Sequence, residues 1–121
     1  MSHRTSAILL ASITTLVLVS LPLALRAESQ QDRADKALAS ISSDAGAVTK
    51  SASAYQWVQV NHQVDRISAA ERTIERLRGA IACKALHEAV GELRDARLHR
   101  NVDRLQKAAE QVRSASQQSR L

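Results

Sequence analysis

Residues 60–81 read VNHQVDRISAAERTIERLRGAI, and this stretch decides the fold class of the chain. Four of its β-branched residues recur at intervals of seven: Val60, Ile67, Ile74 and Ile81. A heptad of apolar residues forms one continuous stripe along an α-helix, the arrangement found in coiled-coil seams. The repeat therefore predicts a long helix on which Ile67, Ile74, Leu77 and Ile81 are buried together.

The composition of the chain beyond Pro22 favours helices throughout. No further proline occurs, glycine is found only at positions 46, 79 and 91, and phenylalanine is absent. Few helix breakers, together with much Ala, Arg, Gln, Glu and Leu, are typical of helical proteins. The predicted fold class is therefore all-α: a small helical hairpin or a three- to four-helix bundle, partly coiled-coil-like.

Capping residues and apolar spacing together predict four helical segments, over residues 30–45, 53–78, 80–96 and 102–113. Gly46 is expected to end the first segment, since glycine accepts the left-handed conformation found at many helix C-termini. Gly79 is expected either to end the second segment or to be tolerated within a continuous helix. Asn101 is expected to cap the fourth segment after a turn at residues 99–101.

The N-terminus has the features of a secretory signal peptide. A basic start at His3 and Arg4 leads into an apolar run over residues 7–25, and Ala27 supplies the small residue before a cleavage site. We therefore expect residues 1–27 to be a cleaved signal peptide and the protein to be periplasmic or secreted. A membrane anchor through residues 7–25 is the alternative, because the run is long enough to span a bilayer.

The remainder of the chain divides into one domain and a tail. Residues 28–113 are expected to form the helical domain, and the polar residues 114–121 are expected to form a frayed C-terminal tail. A domain of this size has only a modest core, so we expect a protein partner or a homodimer. A parallel dimer along the isoleucine stripe would bring two copies of Cys83 close together.

Cys83 and His87 are the main candidates for chemistry in this chain. They stand four residues apart and would share a helix face, so they could supply two ligands to zinc or copper, with His99 as a further ligand. The simpler interpretation is a buried thiol beside a histidine at the polar edge of the helix. Metal binding or metal sensing by a helical bundle is therefore kept as the alternative function.

Two complete motifs are excluded in the same region. Leu86 stands where the second cysteine of a haem-attachment motif would be, and Gly91 stands where a zinc metalloprotease needs its second histidine. The chain also has no glycine-rich phosphate loop and no nucleophile elbow. We therefore expect no cofactor, no small-molecule substrate and no enzymatic activity.

The charges favour a solvated helix surface over a nucleic-acid interface. The chain has 17 basic and 12 acidic residues, and the two signs alternate along it. Nucleic-acid binding is not expected, and weak contact with a membrane surface is kept as an alternative. The leading prediction is an exported, non-enzymatic helical binding or scaffold protein of the cell envelope.

Overall fold

The computed structural model describes residues 30–119, and within that range the chain forms four helices and no strands. The helices are α1 (residues 30–53 in its described part), α2 (Trp57–Arg78), α3 (Lys84–Leu98) and α4 (Val102–Gln118). The all-α prediction is confirmed. The signal peptide predicted at residues 1–27, and the anchor alternative at 7–25, lie outside the described residues.

The first helix is longer than predicted. Gly46 does not end α1, which continues to residue 53. The reason is that the apolar stripe carries on past the glycine at helical spacing, so packing outweighs the local preference of glycine for a cap. The buried stripe consists of Ala34, Leu38, Ile41, Ala45, Val48 and Ala52.

The second helix begins later than predicted and ends where Gly79 predicts. Tyr55 adopts a left-handed φ of 57° after α1, and α2 starts at Trp57 rather than near Ser53. At the other end, Gly79 has φ 86° and its N–H donates to the carbonyl of Glu75 at 2.8 Å. Gly79 therefore ends α2 rather than being tolerated within a continuous helix.

The predicted stripe on α2 is buried except at its C-terminal end. Val60, Ile67 and Ile74 are fully buried, Leu77 is half-buried, and Ile81 is 95% exposed. The prediction for Ile81 is wrong because the chain leaves the helix at Gly79 and places this residue in the α2–α3 loop. The stripe proposed for a homodimer seam is thus occupied by packing within the chain itself.

The C-terminal half contains one confirmed cap and one corrected boundary. The side-chain oxygen of Asn101 accepts a hydrogen bond from the backbone N–H of Arg104 at 3.1 Å, so the predicted cap of α4 is confirmed. The tail expected at residues 114–121 is helical through Gln118. Ala115 and Ser116 are buried there, because they continue the apolar stripe of α4.

The helices form an antiparallel bundle, because three short loops join consecutive helices. Side-chain hydrogen bonds link each pair of neighbours: Arg66–Asp44 (α1–α2), Arg97–Asp65 (α2–α3), Arg104–Asp95 (α3–α4) and Gln106–Ser53 (α1–α4). The core is aliphatic, and its bulkiest members are Leu38, Ile41, Ile67, Ile74, Leu86, Leu93 and Leu105. Within the described residues, no helix is both long and apolar enough to cross a membrane.

Candidate functional site

One end of the bundle presents a cluster of exposed apolar side chains. This tip surface is formed by Tyr55, Trp57, Val58, Leu98 and Arg100, on and beside the α1–α2 and α3–α4 loops. Tyr55, Val58 and Leu98 are 70%, 73% and 76% exposed, respectively. In the described part of the chain, the other strongly exposed large apolar side chain is that of Ile81, at the opposite end. The exposed apolar surface is therefore concentrated at the tip.

The two loops that build the tip are in contact with each other. The guanidinium carbon of Arg100 lies 5.9 Å from the centre of the Trp57 ring, which is within cation–π range. Asn61 and Leu98 line one shallow groove, and Val58 lies one helical turn before Asn61. Residues of α2, of α3 and of the loop after α3 thus line the same groove.

Both tip loops use backbone conformations that their residues rarely adopt. Tyr55 has φ 57° and Arg100 has φ 49°. Glycine or asparagine is usual in this left-handed region, and other residues are less stable there by about 1–2 kcal/mol. Strained backbone of this kind is concentrated at functional sites in known proteins. The tip therefore carries a large aromatic and a cation at positions where folding alone would favour glycine.

Two ion pairs lie near the tip, and among residues 30–119 Arg100 takes part in neither of them. Arg97 donates to Asp65 at 2.6 Å beside the groove, and Arg104 donates to Asp95 at 2.6 Å. The hydrogen bond from Arg104 lowers the pKa of the Asp95 carboxyl below its ordinary value. These pairs link α3 to α2 and to α4 close to the tip.

The three candidate metal ligands do not lie together. His99 lies at the tip, where its Nδ1 is 2.9 Å from the carbonyl oxygen of Asp95. Cys83 and His87 lie at the other end of α3, about 24 Å and 18 Å from His99, respectively, at 1.5 Å per residue along the helix. Cys83 is buried, and burial raises the pKa of its thiol.

His87 faces two glutamates of α2 that sequence reasoning did not single out as ligands. Its Nδ1 lies 2.5 Å from a carboxylate oxygen of Glu71 and 3.1 Å from one of Glu75. The signal that could have identified Glu71 is its position on the buried face of α2, between Ile67 and Ile74. An acidic residue on an apolar stripe needs a partner, and His87 is that partner.

For both Glu71 and His87, burial and the charge of the partner shift the pKa in opposite directions. Burial raises the pKa of the Glu71 carboxyl, and the hydrogen bond to His87 opposes part of that shift. The same hydrogen bond, together with the charge of Glu71, raises the pKa of His87. The hydrogen bond between the imidazole and the Glu71 carboxylate therefore links α2 to α3 at this end of the bundle.

Comparisons with known proteins identify no relative of this chain. No family model matches it, and neither a curated protein nor a solved structure matches it. Functional conclusions therefore rest on the residues and geometry of the chain itself.

Proposed function

We propose that the chain is an exported, non-enzymatic helical binding protein of the cell envelope, and that it docks a protein partner through the tip surface. The observation that carries this proposal is the exposure of Tyr55, Val58 and Leu98 together at one end of a well-packed bundle. Exposed apolar side chains concentrated in one region of a protein surface are characteristic of interaction sites.

The residue types of the tip favour a protein partner. Trp, Tyr and Arg are the residues most often found at energetic hot spots of protein–protein interfaces. We expect the partner to offer an apolar depression to Val58 and Leu98, and an acidic group to Arg100. The area of these few side chains falls below the roughly 800 Å² per partner of a standard interface, so binding by the tip alone is weak or transient.

Site-specific crosslinking in the exported compartment tests this proposal. A photoreactive amino acid is placed at Val58 in one variant and at Ile81 in a matched control, since both side chains are exposed but lie at opposite ends of the bundle. We expect a discrete crosslinked product from Val58 that the Ile81 variant does not give. Identical products from both positions, or none from either, would overturn the proposal.

Charge substitutions add a second, independent measurement. Leu98→Asp places a carboxylate in the tip surface and should abolish the crosslink from Val58, whereas Ile81→Asp should leave it intact. Far-ultraviolet circular dichroism checks that both variants remain helical. A product with twice the chain mass would identify a second copy as the occupant. A crosslink from Val58 to lipid, without any protein product, would instead favour the membrane-surface alternative.

Export is tested by the intact mass of the protein in cell fractions. Residues 1–27 support export by their sequence features alone. We expect a periplasmic or secreted species that begins at Glu28. A membrane-bound species that retains residues 1–27 would instead support the anchor through residues 7–25.

A second candidate function, the binding of a metal ion, is favoured by a different observation. His87 lies against Glu71 and Glu75 at the α2–α3 interface, away from the tip. Such a function would be compatible with docking at the tip, because the two sets of residues do not overlap.

A further inference from the structure

The helical spacing of α2 and α3 brings three potential metal ligands together. Glu71 and Glu75 are four residues apart, so they lie on one face of α2 one turn from each other. The loop at residues 79–83 reverses the chain and sets the first turn of α3, with His87, opposite them. The ligand atoms of these three residues all lie within 4.8 Å of one another. In the part of the chain that the structure describes, no other group of three such residues does so.

The three side chains of the cluster differ in their exposure to solvent. The side chain of Glu71 is 6% exposed, that of Glu75 is 28% exposed and that of His87 is 67% exposed. A carboxylate as buried as Glu71 is costly unless a positive charge compensates it. A divalent cation held between the three side chains would supply a positive charge at that position.

We infer that Glu71, Glu75 and His87 form a binding site for a divalent transition-metal ion, with zinc and copper as the ions whose chemistry it fits. Two carboxylate oxygens and one imidazole nitrogen form a donor set that suits these ions, because imidazole disfavours magnesium and calcium. Three protein ligands leave at least one coordination position open to water. This inference is independent of docking at the tip surface.

The His87 ring needs to move only slightly from its present position for an ion to bind between it and the glutamates. Ligand atoms in a tetrahedral zinc site lie about 3.3 Å apart, given metal–ligand distances near 2.0 Å. The separation between His87 Nδ1 and Glu75 is 3.1 Å, and that between His87 Nδ1 and Glu71 is 2.5 Å. The imidazole must therefore move away from Glu71 by less than 1 Å, and its exposure leaves room for that movement.

Arg78 lies at the same end of α2 as Glu75, and its positive charge is engaged by other groups. Its guanidinium donates to the carbonyl of Ser119 and contacts the carboxylate of Asp35. Cys83 contributes no atom to the group of mutually close ligands. The structure thus replaces the Cys83–His87 ligand pair suggested by the sequence with a site that contains His87 and two glutamates.

Metal titration of the purified exported protein tests the inference directly. Zn²⁺ and Cu²⁺ chlorides are added separately to the chelator-treated chain, and binding is followed by calorimetry and by the melting temperature. We expect one ion per chain and a higher melting temperature, both reversed by excess chelator. Absence of binding at micromolar protein and metal concentrations would overturn the inference.

Substitutions distinguish this site from other ligand sets. Glu71→Gln, Glu75→Gln and His87→Ala should each weaken binding tenfold or more. His62→Ala and His99→Ala are matched controls, and Cys83→Ser tests the alternative pair; all three should bind as the native chain does. His87→Ala leaves the buried Glu71 carboxylate without its partner, so Glu75→Gln, at the more exposed glutamate, keeps the test decisive if either of the other variants fails to fold. Loss of binding in a control but not in His87→Ala would refute the assignment.

The absorption spectrum of the Co²⁺ complex gives a readout that a change in stability would not produce. Oxygen and nitrogen ligands give visible d–d bands without the near-ultraviolet charge-transfer band of a thiolate. We expect the native chain and the Cys83→Ser variant to give the same spectrum. A thiolate band in the native chain that Cys83→Ser removes would show that Cys83 is a ligand, and would overturn the proposed donor set.

Discussion

Arg66 on α2 donates a hydrogen bond to Asp44 on α1 at 2.9 Å, and the two side chains have very different exposures. The arginine is mostly exposed, whereas the aspartate is largely buried. Asp44 has one further side-chain contact, a long hydrogen bond of 3.5 Å from Ser40. The pair links α1 to α2. Because the two side chains differ in exposure, substitutions of Arg66 and of Asp44 should change the stability of the fold by different amounts.

Removal of Arg66 should destabilise the fold more than removal of the charge on Asp44. Arg66→Met leaves a largely buried carboxylate without its cation, and we expect a loss of about 1–2 kcal/mol. Asp44→Asn leaves a guanidinium that water can solvate, and we expect a loss below about 1 kcal/mol. Urea unfolding of both variants and the double variant measures the difference. Equal and additive losses would contradict this account.

Two isoleucines one heptad apart should respond in opposite ways to the same substitution. Ile74 is fully buried and Ile81 is 95% exposed. Ile74→Ala should lower the free energy of unfolding by about 2–4 kcal/mol, because it leaves a cavity in the core. Ile81→Ala should change it by less than about 0.5 kcal/mol. Chemical denaturation of the two variants under one set of conditions provides the comparison.

The same two residues show how far the sequence predicts the fold. Periodicity identifies the buried face of a helix, so the burial of Ile67 and Ile74 could be foreseen. It does not state where the helix stops, and the turn at Gly79 removes Ile81 from the stripe. The cluster around His87 could not be foreseen, because it depends on how α3 packs against α2. The contact between Trp57 and Arg100 depends in the same way on two loops distant in sequence.

The three glycines should respond differently to alanine. A methyl group at Gly46 or Gly91 would meet no atom within 4 Å, and both residues lie inside helices. Each alanine there should stabilise the protein by about 0.5–1 kcal/mol through reduced entropy of the unfolded chain. Gly79→Ala should destabilise it by about 1–3 kcal/mol, because φ 86° and ψ 156° are accessible almost only to glycine. Thermal melts of the three variants test the predicted signs.

The Asp95–Arg104 pair should contribute to stability in a pH-dependent manner. Arg104 lowers the pKa of Asp95 in the folded protein. The contribution is therefore fully present above the unfolded-state pKa of about 3.9, and is lost as the pH falls through the folded-state value. We expect Asp95→Asn to be less stable than the native chain at pH 7, and equally stable once Asp95 is protonated. Urea midpoints measured from pH 7 down to acid unfolding test this; a constant difference would contradict it.

Cys83 should resist thiol reagents in the native protein. Its side chain is buried and its pKa is raised by burial, so both access and thiolate formation are suppressed. We expect modification at the rate of unfolding, and no disulfide-linked dimer on non-reducing gels. The variant Ile81→Cys with Cys83→Ser, which moves the thiol two residues to an exposed position, should react at once. Equal rates for the two thiols would show that Cys83 is accessible.

The contacts of Arg78 show where the first and last described parts of the bundle lie relative to the tip surface. Arg78 contacts Asp35, near the beginning of the described helices, and Ser119, at their end. Asp35 and Ser119 therefore lie beside each other, on the side of the bundle remote from Tyr55, Val58 and Leu98. A partner bound at the tip would thus be separated from these two residues by the length of α2, about 33 Å for its 22 residues.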